Sequence, residues 1–74
     1  MKHLKDALVA YGWVEARKGV FENDNYDYKF DLVGGDALVV DANGDVLDMM
    51  FDGSNPREQM DFAIQYNKAA QAAA

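Results

Sequence analysis

Apolar residues recur at Leu4, Ala7, Leu8 and Tyr11, the i, i+3, i+4, i+7 spacing of a short amphipathic helix. Gly12 stands where a left-handed cap ends such a helix. The period then shortens. From Trp13 to Phe21 the pattern turns toward strand, with Val14, Ala16 and Val20 on one face and Gly19 marking a bulge that keeps Lys18 from pointing inward. After a polar turn, Glu22-Asn23-Asp24-Asn25, four apolar residues (Tyr26, Tyr28, Phe30, Leu32) alternate with Asp27, Lys29 and Asp31. This is the clearest strand signal in the chain, aromatic on one side and charged on the other. Gly34-Gly35 reverses the direction, Ala37 to Asp41 predicts the next strand, and Asn43-Gly44 predicts a type I′ hairpin turn into a strand from Asp45 to Phe51.

A second helix follows. Asn55 is its expected N-cap, Pro56 its first helical residue and Glu58 the third, able to close a capping box. Met60, Ala63, Ile64, Tyr66 and Ala70 fall on an apolar arc, with Arg57, Asp61, Gln65 and Lys68 on the polar one. The alanine-rich end favours helix, with fraying at its last residues. The pattern predicts an α+β fold: a four-stranded antiparallel meander, three-stranded if Trp13 to Phe21 fails to pair, with N- and C-terminal helices on one face. Tyr26, Tyr28, Phe30, Leu32, Leu38, Val40, Leu47, Met49 and Phe51 are the expected core face. Asp27, Lys29, Asp31, Asp41 and Asp48, with apolar Val39, Val46 and Met50, are the expected outer face. Trp13 is expected to cover the edge of the core.

Seventy-four residues, half of them hydrophobic and 12% aromatic, predict one folded domain over 1–74. The first 21 residues net +2 from Lys2, Lys5, Arg17 and Lys18 against Asp6 and Glu15. From Glu22 to Asp61, eleven carboxylates face two cations, Lys29 and Arg57, and the chain as a whole carries −6. A pI near 4.4 argues against direct binding to nucleic acid or an anionic membrane, because phosphate neutralisation needs a basic surface. No stretch approaches the roughly 20 apolar residues of a membrane span, Asp6 interrupts any leader-like start, and the chain has no Cys. A cytoplasmic location is the expectation.

Familiar catalytic and metal motifs are missing. Asp41-Ala42-Asn43-Gly44-Asp45 opens like a calcium loop, but Val46 and Asp52 stand where the EF-hand needs Gly and Glu, and a hairpin turn accounts for the same residues. His3 is the single histidine, which leaves no zinc set and no His–nucleophile pair within one chain. Ser54 suits the start of the second helix, and Gly34-Gly35 lacks the Lys and helix of a phosphate loop. The expectation is a protein without cofactor, metal or enzymatic activity.

Ten of the thirteen acids are Asp, which strands and helix interiors disfavour. In size, acidity and lack of Cys the chain resembles small phage-encoded inhibitors of bacterial defence, the anti-CRISPR proteins and DNA mimics that set carboxylates on a compact α/β scaffold. That resemblance implies a partner with a nucleic-acid groove rich in Lys and Arg, such as a Cas effector, met in the host cytoplasm. The expected contact residues are Asp27, Asp31, Asp41 and Asp48 on the sheet and Asp24, Asp36, Asp45 and Asp52 at the turns. Val46 and Met50 are expected to supply a dry centre. The alternative is an adaptor or homo-oligomeric module, for example a dimer, whose acids only keep it soluble.

Overall fold

The structure, a computed structural model, describes residues 1–67. Ala70, Lys68 and the alanine-rich end of the expected second helix lie outside the described residues. Helix α1 (Lys2–Ala10) is followed by β1 (Val14–Arg17), β2 (Val20–Glu22), β3 (Lys29–Asp31), β4 (Ala37–Val40), β5 (Val46–Met50) and helix α2 (Pro56–Gln65). The strands form one sheet in the order β1-β2-β3-β4-β5, every neighbour antiparallel. The α+β class and the meander hold, with five strands in place of four.

The extra strand comes from Gly19. At φ 77° this glycine turns the chain tightly, so the expected single strand from Trp13 to Phe21 is a hairpin of β1 and β2. A Cβ at Gly19 would lie 3.0 Å from Val33 Cγ2 and 3.3 Å from Val33 N, so conformation and space both favour glycine there. Glu15 Oε2 accepts from Gly19 N at 2.8 Å and helps close the turn. A bulge is present, but it lies in β1 between Glu15 and Arg17.

Both helices cover the Phe30 face of the sheet. Leu4, Leu8, Trp13, Phe21, Phe30, Val39 and Phe62 form a single buried cluster, with Tyr26, Tyr28, Met50 and Tyr66 packed around it. Trp13 is 2% exposed. Its ring stacks on Tyr26 at 5.2 Å and stands edge-on to Phe30 at 4.9 Å. Phe30 in turn meets Phe62 and Tyr66 edge-on at 6.0 Å each, which seats α2 on β3.

The two helices are joined by buried amides. Leu4 N donates to Gln59 Oε1 at 3.1 Å, and Gln59 Nε2 donates to Ser54 O at 2.9 Å. Trp13 Nε1 donates to Asn67 Oδ1, and Asn67 Nδ2 donates to Ala63 O. The capping box of α2 forms as predicted, with Glu58 N on Asn55 Oδ1 at 2.8 Å and Asn55 N on Glu58 Oε1 at 3.2 Å.

On β4 and β5 the expected faces are exchanged. Phe30 pairs with Val39, and Val39 with Asp48, so these three share the helix-covered face; Ala37 and Met50 join them two pairs further on. Leu38, Leu47 and Met49 therefore belong to the outer face, and Phe51 beyond the strand is also exposed; Val40 takes the outer side of β4 by register but is buried, at 9% exposed. The cause is in the sequence. Ala37-Leu38-Val39-Val40 is apolar at every position, so it carries no period-two signal, and a slip of one residue exchanges the faces. A register shift between Val39 and Val40 leaves Leu47 as the additional residue on β5. Asp48 on the inner face is satisfied, since it accepts a hydrogen bond from the Tyr66 hydroxyl.

The Asn43-Gly44 hairpin also takes another form. Among the described residues only glycines have a positive φ, so Asn43 does not, and the turn is not type I′. Gly44 N donates to Asp41 O at 3.1 Å and Asp41 N to Asp45 O at 2.9 Å, which closes a three-residue loop with Gly44 at φ 88°.

Two outcomes follow. Phe30→Ala should cost about 3–5 kcal/mol, the range for a large aromatic removed from a packed site, read by urea denaturation. Burial first, then the hydrogen bond to Asp48 and the charges of Asp48 and Tyr28, push the Tyr66 phenol from 10.0 up to about 12. The folded protein thus keeps a proton that the unfolded chain releases near pH 10, so this stabilisation is whole below about pH 10 and is lost toward pH 12. A urea midpoint that falls across that window, with a shallower fall in Tyr66→Phe, is the expected result.

Candidate functional site

The β2–β3 and β4–β5 turns lie at the same end of the sheet, and the acids gather there. Glu22, Asp24, Asp27 and Asp41 surround a shallow bowl of about 580 Å³, with Tyr26 and Tyr28 among its walls and Lys29 as the one cation lining it. Asp45 stands beside it in the same hairpin loop. Tyr28 is held from behind: its ring packs edge-on to Tyr66 at 5.7 Å and its hydroxyl donates to Tyr66 O. Burial and the neighbouring Tyr26 raise its pKa, so it stays a neutral phenol at physiological pH. Tyr26 rests on Trp13, which fixes the plane of its ring.

The eight expected contact aspartates are thereby divided. Asp24, Asp27, Asp41 and Asp45 meet at the bowl. Asp31 lies on the outer face of β3. Asp36 and Asp52 meet at the opposite end, where Asp52 N donates to Asp36 Oδ1 at 2.8 Å. Asp48 is not on the outer face but beneath Tyr66, and Met50 is not in a dry outer centre but packed against the core. Val46 is exposed on the edge strand β5. Glu22, Tyr26 and Tyr28 were not among the residues expected to make contact. Their signal is the close spacing of acids and tyrosines from Glu22 to Tyr28, which becomes a site once the second hairpin is brought alongside.

Hydrogen bonding explains much of the preference for Asp. Five of the ten aspartates accept from a backbone N–H: Asp31 from Val33, Asp36 from Asp52, Asp41 from Asn43 and Asp45, Asp48 from Met49, and Asp52 from Gly53, at 2.7–3.0 Å. The short side chain reaches nearby backbone where Glu would overshoot, so these acids shape turns and strand ends. Arg57 and Asp61, at 3.9 Å on the exposed side of α2, are the one ion pair among the described residues and contribute little. The side chains of Glu22, Asp24 and Asp27 make no hydrogen bond or ion pair among the described residues. They remain available to something outside the chain.

Chemically, the bowl offers several carboxylates beside two tyrosines, a setting suited to a guanidinium or ammonium group. Arg combines paired hydrogen bonds to a carboxylate with stacking on an aromatic ring. Among the described residues, no group of three or more His, Cys, Asp or Glu side chains is arranged to hold a metal ion. No described helix is long and apolar enough to cross a membrane.

The fold and this site define a small α+β protein with a five-stranded meander, both helices on one face and an acidic, tyrosine-lined end. Comparison with family models, with curated proteins and with solved structures finds no match for the chain.

Structural and available acids should separate in a stability measurement. Asp41→Ala loses two hydrogen bonds to the loop backbone and should cost about 1–2 kcal/mol in urea denaturation. Asp27→Ala should stay within about 0.5 kcal/mol of the parent.

Proposed function

We propose that this protein is a non-enzymatic inhibitor that binds a basic nucleic-acid-binding surface of a partner protein and occludes it. The anti-CRISPR and DNA-mimic proteins that the chain resembles act in this manner, and a Cas effector in a bacterial cytoplasm is the kind of partner implied. The observation that carries the reading is the concentration of Glu22, Asp24, Asp27, Asp41 and Asp45 at one end of the sheet against the single cation Lys29. Glu22, Asp24 and Asp27 are exposed and their side chains have no partner among the described residues, so an incoming cation displaces no internal contact there.

Binding by this end is stepwise in its physics. The net charge of −6 draws in a cationic surface and orients it, a contribution that falls as salt rises. At contact, an Arg or Lys of the partner enters the bowl between Asp24, Asp27 and Asp41, and its stem or plane lies on Tyr26 and Tyr28. The tyrosines are already packed against Trp13 and Tyr66, so little side-chain entropy is lost. The carboxylates then stand where phosphates would, and nucleic acid is excluded. A chemical step is not part of the proposal: general acid catalysis calls for a desolvated carboxyl, and Glu22, Asp24 and Asp27 are exposed to water.

Immobilised protein should retain nucleic-acid-binding proteins from a bacterial lysate and release them to excess oligonucleotide. Asp24→Lys with Asp27→Lys should weaken the retained complex by at least about tenfold while the thermal midpoint holds, since each reversal sets like charges together. Simultaneous binding of partner and nucleic acid, with neither affinity changed, would exclude occlusion. Retention that ignores salt and the double reversal would favour the adaptor reading.

A further inference from the structure

The outer face of the sheet differs from the rest of the surface. Register places Arg17 and Lys29 on it together with Glu22 and Asp31, two cations and two anions, on a chain whose net charge is −6. Its β4–β5 half is apolar. Leu38 is half-buried, and Val46, Leu47 and Met49 are 56%, 53% and 42% exposed. Val20 and Val40, which share this face by register, are 3% and 9% exposed, so its free apolar area lies toward β5. A neutral, partly apolar surface on an acidic protein does not suit a cationic partner; it suits a surface like itself.

We propose that this face is a homodimer interface, in which two copies stack outer face on outer face about a two-fold axis that crosses β3 at right angles to the strand. Lys29 and Asp31 are two residues apart on β3, so both point outward. A two-fold axis passing between them sets Lys29 of each copy over Asp31 of the other, which satisfies both charges twice in one self-complementary patch. The same operation lays Leu38 over Val40 and Met49 over Val46 of the second copy. It also sends the two acidic bowls to opposite ends of the pair, where they do not repel at close range.

Edge-to-edge pairing through β5 is the less suitable route. The Met49 amide already donates to Asp48 Oδ1 at 2.7 Å, and the register shift beside Leu47 breaks the regular edge. Five strands about 4.8 Å apart and about four residues long give a face of roughly 24 by 14 Å. That is below the roughly 800 Å² per partner of a standard interface, so association should be weak and concentration-dependent.

The test uses the purified protein alone, so its failure leaves the acidic-end reading untouched. Sedimentation equilibrium over a concentration series should show a reversible monomer–dimer transition. Lys29→Glu and Asp31→Lys should each weaken the dimer at least about tenfold, because each puts like charges face to face at two points. Mixed together, the two variants should associate with each other about as well as the parent, since every facing pair is again opposite. Leu47→Asp should weaken the dimer without rescue by either. Circular dichroism melts confirm that each variant is folded, and Leu47→Asp keeps the interface testable if loss of the Asp31–Val33 hydrogen bond unfolds Asp31→Lys. A monomer at every concentration would overturn the proposal. So would a dimer indifferent to these substitutions, or two weakened variants that fail to recover on mixing.

Discussion

The indole of Trp13 is the constraint on which the rest of this small protein depends. A chain of 74 residues has little apolar volume, and aromatic rings supply most of it. Trp13 follows α1 directly, lies against Phe30 of the central strand and the tyrosines of the β2–β3 turn, and donates its N–H to Asn67 just beyond α2. One side chain thereby fixes the distance between helix, sheet and helix. The bonded N–H matters as much as the packing, since a buried indole without an acceptor would cost about 1–3 kcal/mol. The tyrosines of the bowl inherit their rigidity from the same ring, so the candidate site is an extension of the core.

The acidity has two origins. Asp31, Asp36, Asp41, Asp48 and Asp52 are spent on backbone N–H groups at turns and strand ends. They would be selected by the geometry of a tight meander whatever the protein binds. Glu22, Asp24 and Asp27 have no such task and share one end of the sheet. The site therefore rests on fewer carboxylates than the charge of the chain implies, and they are concentrated.

How legible the sequence was depended on whether polar residues marked one face. Tyr26 to Leu32 alternates with charges, and its aromatic face is the core. The capping box at Asn55 and Glu58 formed as the local chemistry required. The all-apolar run Ala37 to Val40 offered no such mark, and only pairing with Phe30 decides that Val39 points inward. Asp48 misled as well: its inward placement is satisfied by Tyr66, eighteen residues away, and no local rule contains that partner. Gly19 could be recognised as a break, but bulge and hairpin turn look alike until β2 is seen to pair on both sides. The bowl was half visible, because its acids are local to each hairpin while their meeting is a property of the sheet.

The buried amides have a consequence for how this chain is made. Gln59 holds Leu4 across 55 positions, and Asn67 holds Trp13 across 54. The sheet between them is built from neighbouring strands and can assemble early by short-range contacts. Its aromatic face has no finished cover without α2, and Leu4, Leu8 and Trp13 are incompletely buried in a chain that lacks it. Joining Leu4 and Trp13 to the α2 end closes a loop of more than fifty residues. Loop length itself adds little to that cost, since closure entropy rises only logarithmically. A nascent chain stalled before Gln59 would instead present its most hydrophobic surface to the cell, where chaperones and proteases act first.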